Sequence, residues 1–221
     1  AGHPSGRISL GYGFNDDTEF EELSLRPALH DLPADPAGYI PNSQLEMFHL
    51  LLRYNNDRGH VYVERLGLLD IVSLAPLDRW IKRPSWKFFT GWGNAKDTGR
   101  PPDKGLHFDL NAGTGPTLET SMWKKETFYL LAESDLGVGG LFRRNYRWGV
   151  GGTAGCLVDV TDAWRVVLEE TYLRYPLGEV RSRTRTDLTQ SFTLNRRTEL
   201  RLILRRDGPW KETLLTANYY L

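Results

Sequence analysis

The sequence predicts an all-β protein, namely a transmembrane antiparallel up-and-down β-barrel of about 12 strands. Three observations predict this fold. Short runs alternate apolar and polar residues along the whole chain of 221 residues, and their polar side is rich in Gly, Ser, Thr and paired charges. Trp and Tyr stand at the ends of many runs, as in the aromatic belts of membrane proteins. The last run carries alternate apolar side chains up to the final residue.

Composition excludes several classes of protein. The chain has 28 basic and 28 acidic side chains, and this zero net charge argues against nucleic acid as a partner. Its single cysteine excludes an intrachain disulfide framework and a Cys-cluster metal site. No stretch approaches the roughly 18 apolar residues of a transmembrane helix. The chain opens without the features of a signal peptide, so we expect a mature form or an excised domain.

The first two runs predict a hairpin. Residues 7–14 place Ile8, Leu10, Tyr12 and Phe14 on one face, and Asn15-Asp16-Asp17 then supplies a turn signal. The second run covers residues 22–29 and contains Pro27, which cannot donate a hydrogen bond to a neighbouring strand. We therefore expect Pro27 near a strand end or a bulge.

Ten further runs complete the prediction. Residues 44–54, 60–73, 165–175 and 181–194 slip phase once, as a β-bulge would cause. Ser43-x-x-Glu46 has the form of a helix capping box, but a strand-like run follows it, which favours a strand. Since the 12 strands leave little of the chain over, we predict a single domain over residues 1–221. The regular runs are 86–93, 106–115, 128–136, 148–159, 199–205 and 212–221.

A soluble β-sandwich or lipocalin-like barrel would also alternate. The apolar face, however, is nearly free of Lys, and a Lys or Arg facing lipid at mid-depth costs about 2–4 kcal/mol. This favours a barrel in the bacterial outer membrane. With both termini in the periplasm, the outward loops are mostly short, and the inward connections 30–43 and 75–85 are elaborated. We therefore expect the interaction surface to face inward.

Several segments resemble one family of bacterial envelope proteins. They are residues 3–13 (HPSGRISLGYG), 25–32 (LRPALHDL), 36–41 (PAGYIP), 70–74 (DIVSL), 84–87 (PSWK), 172–175 (YLRY) and 190–192 (QSF). Together they resemble the C-terminal outer-membrane barrel region of the "Lnb N-terminal periplasmic domain" protein family. The resemblance covers essentially the whole chain.

The resemblance implies an outer-membrane location and a link to periplasmic work on lipids or lipoproteins. In that family, a periplasmic domain with a proposed cysteine-based amidase or acyltransferase chemistry precedes the barrel. This sequence does not contain that domain, and Cys156 matches nothing catalytic in the family, so no catalytic residue is carried over. Cys156 is expected to act as a small hydrophobic residue on the apolar face of a strand.

Arginines at every second position form the strongest charge feature. A spacing of two places each set on one face of its strand, and guanidinium groups suit phosphate, so the set could bind an anion such as a lipid phosphate. The equal numbers of acids and bases favour a lumen network in which acids neutralise the arginines and plug the pore. The predicted lumen charge cluster comprises Arg181, Arg183, Arg185, Arg201, Arg205, Glu133, Asp135 and Glu199, with Asp159 and Glu169 as further acids.

Two histidines, each close in sequence to an aspartate, suggest catalysis or metal binding, but less strongly than the arginines suggest anion binding. His107 and Asp109 share a face and, with Glu133 or Asp135 from the next strand, could bind a metal or activate water. No nucleophilic serine stands in a recognisable setting, so a hydrogen-bond network is the expectation there. His30 and Asp31 point to opposite faces near a turn, which indicates a surface or interface role.

Two other patterns predict no site. His3, His49 and His60 form no spaced ligand set. The glycines of residues 149–155 lack the strand–turn–helix setting of a nucleotide loop and are expected to give room in the lumen or to allow curvature of the strand.

We therefore expect a barrel that anchors or assembles a periplasmic lipid- or lipoprotein-related activity at the outer membrane. The expected partners are outer-membrane lipid and a periplasmic protein or domain, with no cofactor, no metal and no catalytic residue in this chain. One alternative is a channel for small solutes or lipid, although about 12 strands is borderline for an open pore. The other is a barrel-based lipid-modifying enzyme with a site at His107, Asp109 and Glu133.

Overall fold

The predicted strands are present in the computed structural model, which describes residues 3–16, 18–57, 59–77, 83–96, 104–178 and 181–221. Within these ranges no helix is long and apolar enough to cross a membrane. The strands are β1 (Arg7–Asn15), β2 (Glu19–Arg26), β3 (Ala28–His30), β4 (Ser43–Asn55), β5 (His60–Ser73), β6 (Ser85–Lys96), β7 (Lys104–Gly115), β8 (Thr117–Thr120), β9 (Lys125–Val138), β10 (Tyr146–Thr161), β11 (Trp164–Leu177), β12 (Arg181–Asn195), β13 (Thr198–Asp207) and β14 (Trp210–Tyr220).

The strands close into a barrel. Each long strand pairs antiparallel with the next along the chain, and β14 pairs with β1 from Arg7 opposite Tyr220 to Asn15 opposite Glu212. The short strand β3 continues β2 beyond Pro27 along β4, and β8 continues β7 beyond Pro116 along β9. The wall therefore has 12 strands, as predicted. Closure matters because an unpaired backbone group in lipid would find no water to bond.

Apolar and polar residues alternate across the wall as predicted. In β1, Leu10 and Phe14 are exposed on the outside while Arg7 and Ser9 are buried inside. Lipid is the environment in which an outward leucine or phenylalanine is favourable. Outward side chains that keep more than a third of their surface exposed include Ile8, Tyr12, Val61, Leu106, Phe128, Leu130, Val150, Leu168, Phe192, Leu200 and Leu215.

The predicted phase slips occur in two of the four segments. In β4 the neighbours Met47 and Phe48 both face outward, and β5 carries two register shifts against β4 and β6. In β11 and β12 the side chains keep strict alternation through Tyr175 and Thr193, and the register shifts lie only at the strand ends. The slip predicted inside residues 165–175 and 181–194 was therefore wrong. Each face of these strands mixes polar and apolar residues, but successive side chains still alternate between the lumen and the lipid.

The start of β1 and the end of β14 lie at one end of the barrel, which we call the periplasmic end after the orientation expected from the sequence. The connections at this end are residues 31–42, 74–84, 121–124, 162–163 and 196–197. Those at the outer end include residues 56–59, 139–145 and 208–209. The predicted outward loop 94–105 and inward connection 75–85, with Trp80, lie partly outside the described residues.

The connection of residues 31–42 crosses the inside of the barrel. Its Leu32 is buried in an apolar cluster with Leu74 from the next connection and with inward side chains of β9, β10 and β11. The Arg165 Nη1 group on β11 donates to the carbonyl oxygens of Leu32 (2.9 Å) and Ala34 (3.3 Å). The lumen was expected to be polar, but the crossing connection and this apolar cluster fill part of its periplasmic half. The wall residues of this cluster are Tyr129, Leu131, Leu157 and Val167, with Val72 packed against it.

We predict that a charged side chain on the outer wall destabilises the barrel more strongly the nearer it lies to the middle of the bilayer. Leu10→Arg, in the middle of β1 where Leu10 is 65% exposed, should lower the free energy of unfolding by about 2–4 kcal/mol. Val61→Arg is a matched control at the outer end of β5 and should cost about 0–1 kcal/mol. Urea titration of the protein folded into lipid vesicles measures both changes. Equal costs at the two positions would contradict a lipid-facing outer wall.

Candidate functional site

The candidate site is the interior of the barrel. An internal cavity of about 460 Å³ lies there and is lined by side chains from both ends, among them Arg7 and Asp31 at the periplasmic end and Arg183 and Arg205 at the outer end. Most lining residues are polar or charged. The cavity is therefore a polar chamber between two groups of buried ion pairs.

The periplasmic arginine cluster consists of Arg7, Arg26, Arg201, Asp31, Glu46 and Glu199, and each of these residues is buried. Asp31, at the start of the crossing connection, accepts from Arg201 Nη1 at 2.7 Å and lies 3.2 Å from Arg26 Nη1. The Arg7 guanidinium bonds the same carboxylate. Glu199 pairs with Arg201 at 2.6 Å. Three arginines thus face three carboxylates, which balances the buried charge.

Asp31 is the centre of this cluster. Burial acts to raise its pKa, but the charges of Arg201, Arg7 and Arg26 outweigh burial and hold the pKa of that carboxyl well below its usual range. Asp31 therefore stays ionised, and the ion pairs fix the crossing connection to the wall.

The outer arginine cluster consists of Arg53, Arg183, Arg185, Arg205, Glu22, Glu64, Asp187, Asp207 and Glu212. Arg53 donates to both oxygens of Glu212 at 2.8 and 3.0 Å, which joins β4 to β14 across the lumen face of β1 and β2. Arg205 then links Glu212 at 3.1 Å to Asp187 at 2.6 Å. These pairs narrow the outer half of the lumen.

A third polar group lies on the β7, β9 and β10 wall. His107 Nε2 lies 2.7 Å from Asp109 Oδ2, and Phe142 from the outer connection packs its ring at 82° to the imidazole. The Arg147 guanidinium stands over the rings of Phe142 (4.7 Å) and Tyr175 (4.6 Å). Arg147 thereby fastens the outer connection of residues 139–145 into the lumen mouth.

The glycines of β10 make room for this packing, as predicted. A Cβ at Gly155 would lie 2.1 Å from the Tyr129 ring, and one at Gly149 would lie 2.6 Å from the Tyr175 ring. Tyr175 in turn donates to Asp135 at 2.9 Å.

The structure divides the residues that the sequence placed in one charge cluster. Arg183, Arg185 and Arg205 belong to the outer cluster, and Arg201 with Glu199 belongs to the periplasmic one. Glu133 and Asp135 lie on another wall, where Glu133 pairs with Lys87. Arg181 begins β12 at the outer end. The acids that pair Arg183, Arg185 and Arg205 are Asp187, Asp207 and Glu212. They were not predicted from the sequence, because they lie on the same strand as their arginine or on the strand beside it.

Sequence analysis also missed a buried hydrogen-bonded chain of Ser24, His49 and Glu46. Ser24 lies on β2, whereas Glu46 and His49 stand three apart on β4. The alternation of side chains along a strand does not place such residues together. His107 and Asp109 do face the lumen together, as predicted. Among the described residues, no group of three or more His, Cys, Asp or Glu side chains is arranged to hold a metal ion.

Solved structures with a similar fold are outer-membrane proteins. An outer membrane channel from Pseudomonas putida F1 is 12% identical, with a TM-score of 0.52 over 100% of this chain and 97% of that one. The KdgM porin in complex with disordered oligogalacturonate is 7% identical, with a TM-score of 0.51 over 97% and 99%. A bacterial polysaccharide outer membrane secretin is 8% identical, with a TM-score of 0.50 over 100% of both chains. These likenesses show the fold, an outer-membrane β-barrel.

A search of the curated proteins finds no match to this sequence. Residues 1–220 match the family model described as "Domain of unknown function (DUF7840)", and the chain belongs to that family.

We predict that the periplasmic cluster stabilises the barrel only as a complete set. Arg201→Met should lower the free energy of unfolding by about 3–5 kcal/mol, because it leaves Asp31 and Glu199 buried without their shared cation. Arg206→Met, on the same strand but exposed, should change it by less than about 0.5 kcal/mol. Urea unfolding in vesicles at neutral pH measures both. Equal stabilities of the two variants would show that the ion pairs are not needed.

The periplasmic arginine cluster should also make the free energy of unfolding depend on pH. The folded-state pKa of Asp31 lies below its unfolded value of about 3.9. Asp31 therefore contributes fully to the free energy of unfolding above its unfolded-state pKa. This contribution is lost as the pH falls through the folded-state pKa. The protection factors of residues 31–42 against hydrogen exchange, which are corrected for the intrinsic pH dependence of exchange, should fall below about pH 4 in the wild type. Asp31→Asn should show fast exchange already at pH 7, with less change on acidification. An identical pH profile for both proteins would contradict this role.

Proposed function

We propose that this outer-membrane barrel, a member of the DUF7840 family, anchors or assembles a periplasmic lipid- or lipoprotein-related activity at the outer membrane. The observation that carries the proposal is the obstructed periplasmic half of the lumen. A periplasmic connection crosses it, apolar side chains pack around that connection, and a buried ion pair and hydrogen bonds fix the connection to the wall. Such a barrel presents a rigid folded surface at its periplasmic end.

The N-terminal residues belong to that surface. The ring of His3 packs against those of His30 (5.2 Å), Tyr39 (4.8 Å) and Tyr220 (4.1 Å). The Tyr39 hydroxyl donates to the His3 carbonyl oxygen at 2.9 Å. The start of the chain is thus fixed to the crossing connection, which suits a barrel that holds something in a set orientation.

Exposed apolar side chains at the same end supply a contact surface. Ile40 is 76% exposed on the crossing connection, and Met122 and Trp123 are 86% and 70% exposed on the connection before β9. The Asn42 side chain fixes the crossing connection to the strands on either side of residues 121–124 by donating to Glu119 on β8 and Thr127 on β9, both at 3.2 Å. Large exposed apolar groups at loop tips indicate a protein or membrane contact. The partner we propose is a periplasmic protein or domain.

The resemblance to the barrel region of the "Lnb N-terminal periplasmic domain" family supports the link to lipids or lipoproteins. The link to lipids or lipoproteins stays a prediction, and so does the class of partner, a periplasmic protein or domain.

A small-solute channel is the second candidate. The polar cavity of about 460 Å³, lined by residues of both the periplasmic and the outer arginine clusters, favours it. In this alternative the crossing connection would have to leave the lumen during transport.

Site-specific photocrosslinking in intact cells tests the anchor. A benzophenone amino acid at Met122 or Trp123 should give a protein adduct of one defined mass, and Ile40→Asp should diminish it. The same group at Tyr146, which is exposed at the outer end, is the matched control and should not give that adduct. Adducts with lipid alone, or the same adduct from Tyr146, would contradict docking of a periplasmic protein.

Conductance in planar lipid bilayers separates the two candidates. The obstructed periplasmic half of the lumen predicts no steady current through the wild-type protein. Leu32→Asp, which places a charge in the apolar cluster, should introduce current steps and so show that the protein was inserted. Wild-type steps as large as those of the variant would favour the channel.

A further inference from the structure

We propose that Ser24, His49 and Glu46 form a nucleophilic site for the hydrolysis of a small carboxylic ester inside the barrel. Ser24 Oγ lies 2.8 Å from His49 Nε2, and His49 Nδ1 lies 2.9 Å from Glu46 Oε2. A hydroxyl, an imidazole and a carboxylate in this order are the parts of a serine hydrolase site.

The two contacts of the imidazole fix its tautomer. Glu46 is ion-paired through its other oxygen with Arg26 Nη1 at 3.2 Å, so its carboxylate is ionised and can only accept hydrogen bonds. His49 Nδ1 must therefore carry the proton and donate to Glu46. His49 Nε2 is then free to accept, and the Ser24 hydroxyl donates to it. This is the protonation state in which His49 can act as a general base toward Ser24.

An irregular backbone in β4 brings the base and its carboxylate to one face. In a regular strand, residues three apart point to opposite sides. In β4 both Met47 and Phe48 face outward, and Phe48 has a φ of 53°, which is uncommon for a bulky residue. This slip turns Glu46 and His49 inward together. Strained backbone of this kind is often found at functional sites.

The site opens onto the cavity. Ser24, Glu46 and His49 all line the chamber of about 460 Å³, so a substrate would approach from the lumen and not from the lipid. Leu51, opposite Ser24 on β4, supplies an apolar contact in the same wall. A short acyl group fits such a chamber.

Two buried donors beside the nucleophile find no hydrogen-bond partner among the described residues. They are the Oγ of Ser9, which stands directly opposite Ser24 on β1, and the Nε of Arg7. Both residues line the cavity. Unpaired buried donors near a nucleophile can stabilise the oxyanion of an ester. The geometry therefore favours a small ester whose carbonyl oxygen reaches these donors.

The reaction balances with water alone. Ser24 Oγ bonds to the ester carbonyl carbon while its proton passes to His49 Nε2. The bond from that carbon to the alkoxy oxygen breaks, and His49 returns the proton to the leaving alcohol. Water, deprotonated by His49, then attacks the acyl-serine, and the carboxylic acid leaves as Ser24 recovers its proton. Glu46 and Arg26 act as positioning residues, since they hold the imidazole without contacting the ester.

The test uses the full chain folded in detergent micelles, with diisopropyl fluorophosphate as a small serine-directed probe and p-nitrophenyl acetate as the ester. Mass spectrometry should find the phosphoryl adduct on Ser24. Ester hydrolysis above the buffer rate should be lost in Ser24→Ala and should fall by about 100-fold or more in His49→Gln. Ser191→Ala is the matched control: Ser191 is another buried lumen serine, and its loss should leave both readouts unchanged.

Accessibility and folding need their own measurements. A change of gel mobility on boiling in SDS shows that each variant is folded. Ser24→Cys in a Cys156→Ala background should react with a small methanethiosulfonate reagent if solutes reach the site. Absence of that reaction, or an accessible Ser24 that forms no adduct in the wild type, would overturn the proposal. Glu46→Asp should retain more activity than Glu46→Gln, and equal loss in both would leave Glu46 without a positioning role.

Discussion

The lipid surrounding the wall imposes the constraint on which the rest of this structure depends. Every backbone donor and acceptor must be paired within the sheet, and the pairing of β1 with β14 completes that requirement. In a closed barrel wall, each side chain faces either the lipid or the lumen. Charged side chains therefore collect in the lumen, and a barrel of 12 strands is narrow enough to bring them into contact. The buried ion pairs are a consequence of closure.

These ion pairs determine how the lumen is filled. Arg53 reaches Glu212 over the ring of Phe20, which occupies the space left by Gly13 on β1. At the other end, one carboxylate, that of Asp31, satisfies guanidinium groups from three strands. A connection that brings such a carboxylate into the lumen is held there, since its withdrawal would leave three cations buried without it. The charge pattern and the crossing connection thus stabilise each other.

The alternation of residues was enough to predict the strands, their number, and the connections at each end, because which face a side chain takes is a local property of the chain. The partners across the lumen could not be predicted in this way. The contact of Arg165 with Leu32 joins residues that are 133 positions apart, and nothing in either segment signals the other. The site of Ser24 and His49 was missed for a related reason. The sequence showed that β4 slips phase, but only the structure shows that the slip turns His49 toward the serine of the neighbouring strand.

The crossing connection and the serine site share two guanidinium groups. Arg7 bonds Asp31 and lies 3.9 Å from Glu46, and Arg26 is closer to Glu46. Arg26 Nη1 lies 3.2 Å from Asp31 and also 3.2 Å from Glu46. One nitrogen thus divides its attraction between the carboxylate that closes the lumen and the one that orients His49. If the connection moved out, Arg26 would turn its full charge to Glu46, since the competing anion would be gone. Closure of the periplasmic half and orientation of the imidazole are therefore coupled through these two buried arginines.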